Sequence, residues 1–126
     1  MSTNQKTILM AEDDPFMVTL LSDAFQKEGL RVVLAISGED VIQKFKDEKP
    51  DLLLLDIVMP QKSGLEALRE IRALEGGAAV PAIMLSNLED EQSQAAANEL
   101  NVAQYLVKAK THLPEIVEKV KAALGA

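Results

Sequence analysis

The sequence predicts an α/β protein in which helices cover both faces of a parallel β-sheet. Short apolar runs alternate five times with longer segments of helical period, and strands that alternate with helices form parallel sheets because each strand needs a crossover to reach the next. Four consecutive leucines at residues 52–55 indicate a strand buried on both faces. No repeat or linker interrupts the alternation, so one domain is predicted.

The first strand and helix have clear sequence signals. Residues 7–11 (TILMA) form an apolar run that predicts the first strand. Asp14 is a good N-cap, Pro15 suits the first helical position, and Gly29 is able to end the helix. The apolar face predicted for this helix consists of Phe16, Met17, Leu20, Leu21, Ala24 and Phe25.

The second and third strands are predicted at residues 31–35 (RVVLA) and 52–55 (LLLL). Ser37, with Asp40 three residues later, predicts a capping box at the start of the helix between them, and Pro50 ends that helix. A loop from Asp56 to Ser63 follows the third strand, and Ser63 with Glu66 predicts a second capping box.

The second half of the chain continues the alternation. The third helix is expected to run to Gly76-Gly77, since Leu65, Leu68, Ile71 and Leu74 lie at helical spacing. The remaining predicted elements are a strand at 82–86, an alanine-rich helix at 89–100, a strand at 103–107 and a last helix after Pro114.

The composition excludes several classes of protein. The 126 residues carry 20 acidic and 13 basic side chains, a net charge of −7, so no direct binding of nucleic acid is expected, because phosphate neutralisation needs clustered Lys and Arg. The absence of cysteine and the single histidine, His112, exclude thiolate and multi-histidine metal sites. Neither a signal peptide nor a membrane span is recognisable. We therefore expect a cytoplasmic protein that does not bind membranes, with one domain over residues 6–124 and a flexible tail over residues 1–5.

Polar side chains follow four of the five predicted strands. They are Glu12, Asp13 and Asp14 after the first strand, Asp56 after the third, Ser86 at the end of the fourth and Lys108 after the fifth. Because the carboxyl ends of parallel strands lie at one edge of the sheet, these groups are expected to converge. Asp14 alone is explained as a helix cap and Lys108 as a surface lysine, but an unpaired carboxylate at Asp56, at the end of a buried strand, would be costly.

The acidic residues at this edge favour a bound magnesium ion. Converging carboxylates repel one another unless a proton or a cation lies among them. Oxygen ligands without His or Cys select a hard ion, and a few carboxylates with room for water and phosphate suit Mg²⁺ better than Ca²⁺. Lys108 and Ser86 offer the charge and the hydrogen bond that a phosphoryl group needs, and Asp56 is a candidate nucleophile that carries it as an acyl phosphate.

Together these residues resemble the receiver domain of two-component response regulators. The resemblance covers residues 6–124 and implies a flavodoxin-like, doubly wound five-stranded parallel sheet in the order 2-1-3-4-5 with five helices. The matching pieces are Glu12-Asp13 after the first strand, Asp56 in LLLLDIVMP with Gly64 beyond it, Ser86 in IMLS, and Tyr105 and Lys108 in YLVK.

The resemblance also implies roles for the matched residues. Asp56 would be the phosphoacceptor, and Lys108 would pair with the phosphoryl group. Mg²⁺ would bind directly to Asp13, to Asp56 and to the backbone carbonyl of Val58, and to Glu12 through a water molecule.

Ser86 and Tyr105 resemble the switch hydroxyl and the switch aromatic of the family, which move together when phosphate arrives. The structural alternative for Tyr105 is a partly buried strand aromatic. The resemblance implies no turnover of a separate substrate. It implies a sensor histidine kinase or a histidine phosphotransfer protein as the phosphate donor, and a downstream protein that binds the face of helix 4, strand 5 and helix 5.

Several positions depart from the family pattern. Ala109 stands where the family commonly has proline, so a cis peptide is not assumed there, and Asn87 replaces a usual small residue. Val58 and Leu88 are apolar, and neither can orient an attacking water by hydrogen bonding. We therefore hypothesise slow self-dephosphorylation.

Two other functions stay open at this point. One is a receiver-like protein-interaction domain that phosphate does not regulate. The other is a phosphohydrolase that forms an aspartyl phosphate, but enzymes of the haloacid dehalogenase type need a second Asp two residues after the nucleophile, where this chain has Val58.

Overall fold

A computed structural model describes residues 5–125. Five strands alternate with five α-helices, and a short 3-10 turn, Lys108–Lys110, follows the fifth strand. In chain order the elements are β1 (Thr7–Ala11), α1 (Pro15–Lys27), β2 (Arg31–Ala35), α2 (Gly38–Glu48), β3 (Leu52–Leu55), α3 (Gly64–Arg72), β4 (Ala82–Ser86), α4 (Glu91–Glu99), β5 (Gln104–Val107) and α5 (Leu113–Leu124).

The five strands form one parallel sheet in the order β2-β1-β3-β4-β5. The expected flavodoxin-like topology is therefore confirmed. The registers Ala11↔Leu55 and Ser86↔Val107 align the carboxyl ends of neighbouring strands. As a result, the segments that follow β1 and β3 leave the sheet side by side, as do those that follow β4 and β5.

Two hydrophobic clusters cover the two faces of the sheet. On one face α2, α3 and α4 pack through residues such as Phe45 and Leu68. On the other face α1 and α5 pack through residues such as Phe25 and Ile116. Successive leucines of β3 alternate between the two clusters, because neighbouring side chains of a strand point to opposite faces. Both sides of the central strand are therefore buried, as its apolar sequence predicts.

The predicted caps are present in modified form at α2 and complete at α3. Ser63 Oγ accepts from the Glu66 amide, and the Glu66 carboxylate accepts from the Ser63 amide, both at 3.1 Å. At α2 Ser37 Oγ accepts from the Asp40 amide, but the Asp40 carboxylate accepts from the amide of Ile36 instead of Ser37. Each helix N-terminus thus has its free amides partly satisfied by the residues that the sequence indicates.

Helix α3 is shorter than predicted, because it ends at Arg72. Leu74 still packs against the core from the turn that follows, so its helical spacing is misleading. The chain then turns tightly at Gly77, where an added Cβ would lie 1.6 Å from the carbonyl oxygen of Ile71.

The apolar face predicted for α1 is too wide. Leu21 and Phe25 are fully buried, whereas Phe16 is 72% exposed and Leu20 is 37% exposed. Met17 and Val18 of the same turn pack against the core, but Phe16 lies five residues before Leu21 and therefore about 140° away from it around the helix.

Most of the tail predicted over residues 1–5 lies outside the described residues. Gln5 is described, and its side-chain amide donates to the Gly29 carbonyl at 3.2 Å. Within residues 5–125 no helix is both long and apolar enough to cross a membrane.

Candidate functional site

Three carboxylates meet where β1 and β3 end. One carboxylate oxygen from each of Glu12, Asp13 and Asp56 lies within 4.8 Å of the others. The cause is the alignment of β1 with β3, since Glu12 follows Ala11 and Asp56 follows its partner Leu55. Glu12 and Asp56 are only 4% and 6% exposed, whereas Asp13 is exposed.

Lys108 contacts two of these carboxylates. Its ammonium nitrogen Nζ lies 2.7 Å from Asp56 Oδ2, and 2.8 Å and 2.9 Å from the two carboxylate oxygens of Glu12. Burial lowers the pKa of the Lys108 ammonium, but its hydrogen bonds to Asp56 and Glu12 and the negative charges of these two carboxylates together raise the pKa more, so the net pKa is above its ordinary value. The ammonium therefore stays charged at neutral pH and compensates part of the buried negative charge.

Backbone groups fix the Glu12 and Asp56 carboxylates. The amide of Asp14 donates to Glu12 Oε2 at 3.2 Å, and the amide of Val58 donates to Asp56 Oδ1 at 3.3 Å. Asp14 itself caps α1, since its carboxylate accepts from the Phe16 amide at 3.0 Å. Its ordinary structural role is thus confirmed.

Gly64 allows the chain to pass close to the backbone of Asp56. A Cβ at this position would lie 1.9 Å from the Asp56 carbonyl oxygen, which no side chain permits. The Gly64 amide donates to the Ile57 carbonyl at 2.9 Å and closes the loop that begins at Asp56. The start of α3 is therefore held next to the backbone of Asp56.

Ser86 and Tyr105 both bond to the backbone of Leu88. The Leu88 amide donates to Ser86 Oγ at 3.4 Å, and the Tyr105 hydroxyl donates to the Leu88 carbonyl at 2.8 Å. Burial, together with the charges of Asp90, Asp56 and Glu89, raises the pKa of the Tyr105 phenol, which therefore remains a donor. One residue of the loop between β4 and α4 thus connects the two predicted switch residues.

A cavity of 220 Å³ lies between Asp56, Ser86 and Lys108. It is lined by Asp56, Val58, Ser86, Asn87, Leu88 and Lys108. Larger cavities, of 460 Å³ and 470 Å³, lie between the ends of α2 and α3 and between α1 and α5, and they include none of the predicted site residues.

Two contacts near the site are not indicated by the sequence. Asn87 Oδ1 accepts from the Ala109 amide at 2.9 Å, and Lys110 Nζ lies 2.6 Å from Glu89 Oε1. The peptide bonds of the described residues are all trans, that before Ala109 included. No spacing rule relates residues 87 and 109, so these contacts depend on the pairing of β4 with β5.

The donor set fits a hard divalent cation. Glu12, Asp13 and Asp56 offer carboxylate oxygens within 4.8 Å of one another, the chemistry that Mg²⁺ prefers in proteins. Asp13 is exposed and has no salt bridge among those found in residues 5–125, so it is able to accept a cation from solvent.

A family model described as the response regulator receiver domain matches residues 8–121. Among curated proteins, response regulator RR06 of Streptococcus pneumoniae is 34% identical over 91% of this chain and 51% of its own length. The alkaline phosphatase synthesis transcriptional regulatory protein PhoP of Bacillus subtilis is 32% identical over 82% of this chain and 42% of its own length. The chain thus spans about half the length of these relatives.

Solved structures with the same fold include two receiver domains. The BeF₃-activated N-terminal receiver domain of Klebsiella pneumoniae RstA has a TM-score of 0.85 and 28% identity, over 96% of this chain and 100% of that one. The receiver domain of a Pseudomonas aeruginosa sensor histidine kinase, with a magnesium ion coordinated in its active-site cleft, has a TM-score of 0.86 and 27% identity, over 97% of this chain and 99% of that one.

Proposed function

The chain belongs to the response regulator receiver domain family, and on that premise we propose that Asp56 accepts a phosphoryl group and thereby switches the binding of a partner protein. The observation that carries the proposal is the 2.7 Å contact between the Lys108 ammonium and the Asp56 carboxylate, at a cavity that Ser86 also lines. A nucleophile, a cation and a hydroxyl are the groups that phosphoryl transfer requires.

The transfer itself needs few protein groups. A carboxylate oxygen of Asp56 attacks the phosphorus atom of a phosphohistidine, an O–P bond forms, and the N–P bond of the donor breaks. The electron pair of that bond stays on the histidine nitrogen. Lys108 neutralises charge on the transferred group, and the Ser86 hydroxyl donates to one of its oxygens.

Glu12, through a water molecule, and Asp13, Asp56 and the backbone carbonyl of Val58 would hold Mg²⁺. The ion would neutralise negative charge on the phosphoryl oxygens and on the carboxylates that surround them. The magnesium ion in the cleft of the Pseudomonas aeruginosa receiver domain supports this choice of metal.

The switch is expected at Leu88, to which Ser86 and Tyr105 both bond. When the Ser86 hydroxyl turns towards the phosphoryl group, the Leu88 amide loses its acceptor. The loop between β4 and α4 is then free to move, and Tyr105 moves with it. This is a two-state change driven by local charge, and its expected output is the surface formed by α4, β5 and α5.

The proposed donor is a sensor histidine kinase or a histidine phosphotransfer protein, and the recipient of the signal is a further protein. No separate substrate is turned over in this proposal. A phosphohydrolase is disfavoured because the residue two positions after Asp56 is Val58, whose side chain cannot act as a general acid or base. An interaction domain that phosphate does not regulate is the remaining alternative, and absence of a phosphoryl adduct in the experiment below would favour it.

The test is intact-mass analysis after treatment with acetyl phosphate, with Mg²⁺ and with a chelator. We expect one phosphoryl adduct on the wild type in Mg²⁺, and none on Asp56→Asn or in the chelator. Asp47→Asn is the matched control, since Asp47 is exposed on α2, and it should be phosphorylated as the wild type is. Absence of the adduct on the wild type, or its persistence on Asp56→Asn, would contradict the proposal.

A further inference from the structure

Beyond the paired parts of β4 and β5, a side-chain hydrogen bond joins the two segments. The ladder of these strands ends at Ser86↔Val107. The next residues diverge, because Asn87 enters the loop before α4 and Lys108 begins the 3-10 turn. Asn87 Oδ1 then accepts from the Ala109 amide at 2.9 Å, so the two segments remain connected after the ladder has ended.

This hydrogen bond lies next to both groups that face the proposed phosphoryl site. Asn87 directly follows Ser86, and Ala109 directly follows Lys108. The Lys110–Glu89 ion pair also joins the two segments, but both side chains are exposed, and exposed pairs contribute little. The Asn87–Ala109 bond is exposed as well, but it joins a short side chain to the backbone amide next to Lys108, whereas the ion pair joins the ends of two long side chains. It is therefore the more direct candidate for holding the backbone of Lys108 in place.

From this geometry we infer that Asn87 is a positioning residue. By holding the Ala109 amide it fixes the backbone of Lys108 relative to Ser86, so that ammonium and hydroxyl reach the same phosphoryl group together. The inference rests on the proposed function of Asp56. Groups held in place before reaction avoid the entropic cost of ordering them in the transition state, so loss of this bond should slow phosphorylation.

Asn87 also lines the 220 Å³ cavity, and a bulky side chain there is able to limit the access of a phosphate donor. Limited access and positioning are therefore two possible effects of Asn87 on the rate of phosphorylation, and they depend on different properties of the side chain. Limited access depends on the volume of the side chain, whereas positioning depends on an acceptor at residue 87 and a donor at residue 109.

The experiment compares Asn87→Leu, which is larger and loses the acceptor, and Asn87→Ala, which is smaller and loses the acceptor, with Ala109→Pro, which loses the donor, and with the Asn87→Leu, Ala109→Pro double variant. Positioning predicts slower phosphorylation in both Asn87 variants, whereas limited access predicts slower phosphorylation in Asn87→Leu and faster phosphorylation in Asn87→Ala. Phosphorylation rates with acetyl phosphate and Mg²⁺ should fall about two- to tenfold in Asn87→Leu, the range for one hydrogen bond. Asn87→Leu should cause no further fall in the Ala109→Pro background. Asn98→Ala, at an exposed asparagine of α4, is the control for asparagine removal and should match the wild type.

Two readouts separate positioning from a general loss of structure. Amide hydrogen exchange at Ala109 should accelerate in Asn87→Leu, and the Lys108 ammonium signal in nitrogen NMR should broaden. Calorimetry should give a Mg²⁺ affinity that is no weaker than that of the wild type, because Asn87 and Ala109 bond to each other and to none of the three carboxylates. Weakening of Mg²⁺ binding in parallel with phosphorylation would indicate a structural defect and overturn the inference.

The remaining outcomes distinguish failure of the positioning role from failure of the proposed function. If the wild type takes no phosphoryl group while Ala109 exchange and the Lys108 signal respond as expected, the proposed function fails and the positioning role stands. If the wild type is phosphorylated and Asn87→Leu reacts at the same rate, the positioning role is wrong. It is also wrong if Asn87→Leu slows the reaction equally with alanine or proline at residue 109.

Discussion

Two apolar side chains, Val58 and Leu88, line the cavity that contains Asp56. They are 59% and 37% exposed. An acyl phosphate on Asp56 would be lost when water attacks it. Neither side chain has a polar atom that could orient that water, so we expect these two residues to slow the loss of the phosphoryl group.

We therefore predict that Val58→Asn combined with Leu88→Glu shortens the lifetime of phosphorylated Asp56 by about tenfold, the value of one well-placed hydrogen bond of about 1.4 kcal/mol. The measurement is decay of the phosphorylated mass after removal of acetyl phosphate. Ile36→Asn is the control, because Ile36 is 71% exposed but does not line this cavity. A double variant whose lifetime equals or exceeds that of the wild type would refute the hypothesis of slow self-dephosphorylation.

Gly64 is a second single-residue determinant of the site. Alanine there would place its Cβ 1.9 Å from the Asp56 carbonyl oxygen, so the loop after β3 must shift. We expect Gly64→Ala to lower the free energy of unfolding by about 3 kcal/mol and to slow phosphorylation of Asp56. Urea denaturation measures the first effect and intact mass the second.

Gly76→Ala is the comparison for this prediction. Gly76 has a positive φ of 79° but nothing within 4 Å of an added Cβ, so only the backbone cost of about 1 kcal/mol applies. Phosphorylation should be unaffected in this variant. Equal destabilisation by the two substitutions would show that the contact with Asp56 is unimportant.

At the scale of elements, Arg72 joins the ends of two helices and the start of a strand. Its guanidinium donates to the carbonyls of Leu100 and Gly77 at 2.8 Å and 2.9 Å, and also to that of Val80. These carbonyls belong to the end of α4, to the turn after α3 and to the segment before β4. The side chain thus anchors the C-terminal end of α4, while the loop at its N-terminal end contains Leu88.

We predict that Arg72→Met destabilises the protein by about 2 kcal/mol, because carbonyls near the core lose a charged donor. Chemical denaturation monitored by circular dichroism provides the measurement. Arg69→Met, on the same helix but exposed, should change the stability by less than about 0.5 kcal/mol. Similar effects of the two substitutions would mean that the bridging contacts of Arg72 contribute nothing.

For the molecule as a whole, the proposed metal site couples local charge to stability. Glu12, Asp13 and Asp56 carry three of the 20 acidic groups, and Lys108 compensates only part of their charge. A cation that binds the folded chain but not the unfolded chain must stabilise the fold.

Mg²⁺ at about ten times its dissociation constant should therefore add about 1.4 kcal/mol of stability and raise Tm by about 5 °C. Asp13→Asn should abolish this shift, because it removes one of the three carboxylates that would bind the ion. Asp13 is the exposed member of the cluster, so this substitution disturbs the fold least. Thermal unfolding with and without Mg²⁺ tests the prediction, and Asp23→Asn on α1 is the control. Retention of the full shift in Asp13→Asn would place the ion elsewhere.

The sequence by itself determined the fold class and the members of the acidic cluster. Strands β1 to β4 match their predicted bounds to the residue. Strands β1, β3 and β4 are buried throughout, and such strands have nearly continuous apolar sequences. The convergence of Glu12, Asp13 and Asp56 was predictable because parallel strands end at one edge. The strand order was inferred from the family resemblance, since local patterns do not specify which strands are neighbours.

Only the tertiary structure decided how segments distant in sequence contact one another. Lys108 is paired with Glu12 as well as Asp56, Asn87 bonds to Ala109, and Phe16 is exposed despite its apolar spacing. The physical reason is common to all three. Sequence periodicity indicates which residues of an element are apolar, but side-chain partners and exposure are set by how the elements pack against each other.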